Sequence, residues 1–239
     1  MKNLLYCTSL LLIALTLFSC TGRRIKGSGH VTKVNRKLGS YNNIEVKGSM
    51  DVYFTQGPEK DAVIEADDNI IPYIELVEEG DKLVIRQRNH VSLSFHNDIK
   101  IRLTAPNVET LGLTGSGNIK LLNTLDNEGG VTMSVSGSGN IEGAVHAPEL
   151  NVSVTGSGNV DVSGETRDLE VNIAGSGNFV GKSLMAENAN VSIAGSGDAD
   201  VHASVKLEGK IMGSGDINYV GNPEVSSKVM GSGSIHKRD

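Results

Sequence analysis

Tryptophan is absent from this chain, and the other aromatics are few: four Phe and five Tyr in 239 residues. Sugar sites that stack pyranose rings on aromatic faces therefore have little to build with. Tyr41, Tyr53, Tyr73 and Phe95 all lie in the N-terminal part, where a ligand groove would be sought first, although packing is the commoner role for such side chains. Cysteine is nearly missing as well, with only Cys7 and Cys20. That leaves no basis for a disulfide framework, a Cys-ligated metal or a Cys nucleophile. Basic residues are outnumbered, 22 Lys and Arg against 28 Asp and Glu, for a formal net charge of −6. Phosphate binding needs a basic face, so nucleic acid is not expected as a partner. The six histidines (His30, His90, His96, His146, His202, His236) show no metal-ligand spacing. No nucleophile elbow, phosphate loop or HExxH motif occurs. No catalytic, cofactor-binding or metal-binding residue is assigned, and an enzyme is not expected.

Long hydrophobic runs are also lacking, apart from Leu4 to Leu17. That run is shorter than the ~20 apolar residues a membrane span requires, and with Lys2 before it the pattern is that of an export signal. Leu17-Phe18-Ser19-Cys20 resembles a lipobox, with Leu at −3, Ser at −1 and Cys at the cleavage point; Phe18 departs from the usual small residue. The resemblance implies removal of residues 1–19 and diacylglycerol attachment to Cys20, which would hold the protein on a membrane. An ordinary secretory peptide or an uncleaved anchor is the alternative. Thr21 after Cys20 is not the Asp linked to inner-membrane retention, so an outer-membrane location is expected by analogy, with its leaflet open.

What the chain has in abundance is Gly-Ser-Gly. It begins at Gly115, Gly137, Gly156, Gly175, Gly195, Gly213 and Gly231, at intervals of 22, 19, 19, 20, 18 and 18 residues. A fixed period of that length marks a solenoid in which each repeat is one stacked coil. Two and four residues before the first glycine the side chains are apolar in most copies, as with Val152 and Val154 or Val191 and Ile193. Polar or small residues alternate with them, which reads as a strand with one buried face. Four residues after that glycine comes another apolar position: Ile119, Ile141, Val160, Phe179, Ala199, Ile217 and Ile235. Each coil is a strand, a glycine turn and a second strand. Glycine reaches positive φ at little cost. The residue after each of the first six triplets is Asn118, Asn140, Asn159, Asn178, Asp198 or Asp216, residue types that suit turns. Coils stacked at about 4.8 Å place them in one column, where amides can hydrogen-bond from coil to coil.

The predicted fold is all-β: a single parallel β-solenoid of about seven coils, roughly 30 Å long at that spacing, with an irregular N-terminal cap. Residues 20–40 read as a tether. Residues 41–239 form the domain, with a cap and degenerate coil over 41–105 and regular coils over 106–239. Ile44, Val46, Val52 and Phe54 alternate around Gly48-Ser49, where a coil glycine would fall. Asn69 to Leu76 reads as a helical turn or bend broken by Pro72. The cap covers a strand edge that would otherwise invite aggregation.

The Gly-Ser-Gly-Asn coils, the segment Val46-Lys47-Gly48-Ser49-Met50-Asp51-Val52 and the lipobox together resemble the head-GIN-domain family of putative autotransporter adhesins, exported proteins frequent in Bacteroidetes. The resemblance covers roughly residues 41–235. It implies a parallel β-solenoid on an exported lipoprotein and carries over no catalytic or binding residue. The function expected is a non-enzymatic envelope lipoprotein presenting a rigid surface to a glycan or protein partner. Two alternatives stand beside it: a polysaccharide-binding or polysaccharide-active protein using the acidic edge of Asp161, Asp198, Asp200 and Asp216, and a periplasmic scaffold. Calcium is not expected, since only Asp198 and Asp216 put charge at the corner and calcium needs six to eight oxygens.

Overall fold

In the computed structural model the described residues are 23–94 and 97–238. The signal segment 1–19, Cys20, Phe95 and His96 lie outside them. The C-terminal part is a stack of coils built from β10 (Thr110–Gly115), β11 (Asn118–Leu121), β12 (Leu125–Asp126), β13 (Val131–Gly137), β14 (Asn140–Gly156), β15 (Asn159–Gly175), β16 (Asn178–Gly195), β17 (Ala199–Gly213), β18 (Asp216–Val220), β19 (Glu224–Gly231) and β20 (Ser234–Lys237). Every pairing among these strands is parallel. The fold is the parallel β-solenoid that the period predicts, with about seven Gly-Ser-Gly coils.

The side-chain pattern shows how one coil closes. In β14 the buried residues are Ile141, then Val145 and Ala147, then Leu150, Val152 and Val154. Alternation slips at Gly143–Ala144 and again at Pro148–Glu149. With the Gly-Ser-Gly turn this gives three sides, each facing one apolar face inward. Stacking then makes columns such as Val135, Val154, Ile173 and Ile193, all buried. Burying a Val or Ile side chain contributes roughly 1.5–3 kcal/mol, so these columns are the main source of stability. The weaker copy at Gly209 is filled from the next coils, where Ile217 and Ile235 occupy the space its side chain would need.

The N-terminal part supplies the closed end. It contains β1 (Arg23–Lys26), β2 (Val31–Arg36), β3 (Asn43–Gly48), β4 (Asp51–Gln56), β5 (Lys60–Asp67), β6 (Ile74–Glu79), β7 (Lys82–Gln87), β8 (Val91–Ser94) and β9 (Lys100–Ala105), with a short 3-10 turn at Ile71–Tyr73 where Pro72 sits. β3 and β4 form the degenerate coil, and Gly48 stands in register with Gly115. β7 and β9 then stack on the other edge of β3 and β4. Antiparallel strands finish the cap: β6 on β7, β5 on β9, and β2 on β5.

The described part of residues 20–40 departs from the tether reading. β1 pairs with β8 and β2 pairs with β5 over six residues. The physical reason is the open edge of β5, whose backbone N–H and C=O groups need partners that a polar but Val-containing segment can give. At the other end β19 pairs only with β17, and all of its residues are exposed.

Candidate functional site

The corner is built by two glycines for two different reasons. Gly175 has φ +129°, a region that L side chains rarely adopt, and a Cβ there would run into the Gly156 carbonyl oxygen. Gly177 is buried and faces inward; a Cβ on it would meet the Gly158 carbonyl and lie 2.6 Å from Val154 Cγ1. Between them Ser176 N donates to Gly156 O at 2.8 Å, and the same bond recurs from Ser116 to Ser232. The serine hydroxyl needs no fixed geometry for this, because the backbone N–H makes the contact.

The residues that follow form one continuous ladder. Asn118 Nδ2 donates to Asp51 Oδ1 at 2.7 Å, and Asn140 Nδ2 to Asn118 Oδ1, Asn159 Nδ2 to Asn140 Oδ1 and Asn178 Nδ2 to Asn159 Oδ1, each at 2.9 Å. Aspartate cannot donate at neutral pH, so the pattern changes at Asp198. The backbone N–H of Asp198 donates to Asn178 Oδ1, that of Asp216 to Asp198 Oδ1, and both N–H and Oγ–H of Ser234 to Asp216 Oδ1. The donor always belongs to the later coil. The Ser234 hydroxyl, with its backbone N–H, holds the Asp216 carboxyl below the usual aspartate range. The sequence reading omitted Asp51, which starts the ladder as an acceptor; its alignment with Asn118 spans 67 residues and an intervening cap.

The four acids proposed for an acidic edge fall in two columns. Asp198 and Asp216 accept the backbone bonds just described. Asp200 accepts from Asn218 Nδ2 at 2.9 Å and lies 3.7 Å from Arg238 Nη1. Asp161 stands apart, with Val180 between it and Asp200 in the register. Three of the four carboxylates thus serve coil-to-coil bonds.

Beside the Asn ladder runs a groove of about 490 Å³. One wall is the ladder from Asp51 to Asn159. The other is the next outward column: Tyr53, Lys120, Glu142, Asp161 and Val180, one per coil. Lys120 Nζ is hydrogen-bonded to Glu142 Oε1, and that carboxylate lifts the lysine pKa above its usual value. Arg102 Cζ lies over the Tyr53 ring, 5.4 Å from its centroid. Of the other aromatics suggested for a groove, Tyr41 is buried in the core, where loss of solvent, with Glu59 nearby, pushes its hydroxyl up to about 12. Tyr73 carries Arg88 over its ring.

A wider groove of about 730 Å³ lies on a different side, among Asp126, His146, Glu165, Met185 and His202. His146 Nδ1 is 3.4 Å from Asp126 Oδ1 there. Among the described residues no group of three or more His, Cys, Asp or Glu is placed to hold a metal ion.

Comparison with known proteins agrees with this architecture. No curated protein matches the chain. Three crystal structures are similar over nearly the whole fold, each covered along its full length. A "putative adhesin" from Bacteroides fragilis superposes with a TM-score of 0.83 at 24% identity over 90% of this chain. A "putative lipid binding protein" from Parabacteroides distasonis gives 0.73 at 28% identity over 91%. A "putative adhesin" from Parabacteroides merdae gives 0.75 at 19% identity over 91%. The family model "Putative auto-transporter adhesin, head GIN domain" matches residues 40–223, from the strand before the Gly48 corner to the last full coil. With the Gly-Ser-Gly stack, the Gly48 coil and this match in agreement, the chain belongs to the head GIN domain family.

Proposed function

We propose that this protein is a non-enzymatic cell-envelope lipoprotein, held by lipid on Cys20, whose solenoid serves as an adhesive surface. One observation carries the reading. Successive coils place short polar side chains in register on a flat outer face: Thr132, Asn151, Glu170 and Asn190 in one column, Ser134, Ser153, Asn172 and Ser192 in the next. Such a face offers contact area and hydrogen-bonding groups without a deep pocket, as repeat proteins commonly do. A lipid-binding role, suggested by the name of the Parabacteroides distasonis relative, fits less well. The groove beside the Asn ladder is edged by Asp51, Lys120, Glu142, Asp161 and three ladder asparagines, and an acyl chain lying there would leave those groups without water.

The test compares cells carrying the natural chain with cells carrying Cys20→Ala. The natural chain should fractionate with membranes, and deleting it should lower adherence of the cells to a mucin-coated surface. The Cys20→Ala chain should appear in the soluble fraction and fail to restore adherence. Identical fractionation of the two chains would remove the lipid anchor from the account, and unchanged adherence on deletion would remove the adhesive role.

A further inference from the structure

The groove beside the Asn ladder has a repeat of its own. Each ladder asparagine uses one amide hydrogen and one oxygen lone pair on its neighbours. A carboxamide has two hydrogens and two lone pairs. One donor and one acceptor per coil are therefore left, repeated at the coil rise of about 4.8 Å. A ligand that uses this row must advance by a similar distance per unit. An extended peptide advances about 3.3 Å per residue and shows one face every second residue, so it drifts out of register within two coils. An extended β-1,4-linked chain of pyranoses advances by about one coil per sugar and turns over at each link, so its two-sugar repeat stays in step with two coils, and its hydroxyls both donate and accept.

Charge narrows the class. Asp51, Glu142 and Asp161 line the groove against one base, Lys120, which is already bonded to Glu142. Uronic or sulfated sugars would meet a surplus of carboxylates. Tyr53 supplies an aromatic surface at the end nearest the cap, with Arg102 behind one face of its ring. We infer that this groove binds a neutral, linear, β-linked polysaccharide lying parallel to the solenoid axis, one sugar per coil, with Tyr53 against a terminal ring. This rests on the surface-binding reading above and gives that surface a ligand class and a site.

The experiment is calorimetric titration of the full exported domain with cello-, N-acetylchito- and β-manno-oligosaccharides of two to six sugars. Polygalacturonate and an extended Ser/Asn peptide serve as controls. At least one neutral series should bind more tightly with each added sugar until the groove is filled and then level off. Tyr53→Ala should weaken binding about three- to tenfold, the range of an aromatic contact. Glu142→Lys combined with Asp161→Lys should shift preference toward polygalacturonate. All three side chains face outward, and unchanged melting temperatures would confirm that the variants fold. Failure of every neutral hexaose to bind, binding of the peptide in their place, or affinities untouched by the variants would each overturn the assignment. Adherence of protein-coated beads to mucin is measured alongside. Adherence without binding of any neutral oligosaccharide would sink the groove and leave the adhesive reading standing; oligosaccharide binding without adherence would leave the groove and remove the adhesive role.

Discussion

A methyl group on either glycine of a corner would meet a different obstacle. At Gly175 it would force an L residue to hold positive φ and would press on a carbonyl; at Gly177 it would drive into the packed interior. Gly175→Val and Gly177→Ala should each destabilise by about 3 kcal/mol or more, whereas Ser153→Ala, on the outer face, should change stability by less than about 0.5 kcal/mol. Chemical denaturation of the three variants checks this, and equal tolerance would contradict the corner geometry. The ladder makes a second residue-scale prediction. Asn140→Ala leaves Asn118 Oδ1 and Asn159 Nδ2 without their partners, at a cost of about 1–3 kcal/mol. A third concerns pH. The folded-state pKa of Asp216 is depressed by Ser234, so its contribution is present above the unfolded value of about 4 and is lost as pH falls through the folded value. Ser234→Ala should flatten the acid limb of stability below about pH 4 relative to the natural chain; superimposable acid titrations would contradict the contact. At this scale the sequence was informative. Asn and Asp after Gly-Ser-Gly pointed to a corner column, and the structure brings all six into one. The separate reasons for the two glycines were not legible, because the second depends on a carbonyl and a valine contributed by the preceding coil.

Among the elements, strand order in space differs from strand order in sequence. The Gly48 coil lies between β10–β11 on one side and β7 with β9 on the other. The chain thus lays down its second layer first, goes outward to build the cap, and returns past it. Gly48-Ser49 and the alternation around it exposed the degenerate coil. The layer formed by β7 and β9 had no such mark. Its corner is replaced by an excursion over residues 88–99 with no glycine, so nothing periodic tied Leu83 and Ile85 to Ile101 and Leu103. The groove was only half legible: Tyr53 is among the aromatics singled out for one, but its register with Lys120 follows only once β9 is known to lie on the far edge of β4. The cap's role predicts a clear outcome. A chain truncated to residues 106–239 leaves the outer edges of β10 and β11 unpaired and Leu111, Leu113 and Ile119 uncovered. It should aggregate on expression, while a chain starting at residue 23 stays soluble. A monomeric truncated chain in light scattering would show that the stack does not need its cap.

For the molecule as a whole, parallel stacking fixes both shape and stiffness. Each coil from β14 to β17 is bonded to its neighbour along most of its length, and the apolar columns run through the interior, with the gap at Gly209 filled by Ile217 and Ile235. The outer faces therefore behave as fixed templates whose chemistry is set by which short polar residue occupies each coil. This explains how a chain with so few aromatics and no assigned catalytic residue could still recognise an extended partner. The account requires those faces to point out of the cell. Lys33 and Lys210, with side chains 64% and 51% exposed, give handles for a direct test. Intact cells are treated with a membrane-impermeant amine reagent, lysed cells serve as the control, and modified lysines are mapped by mass spectrometry. Modification of both lysines on intact cells is the predicted result. Modification only after lysis would place the solenoid in the periplasm and contradict the adhesive role.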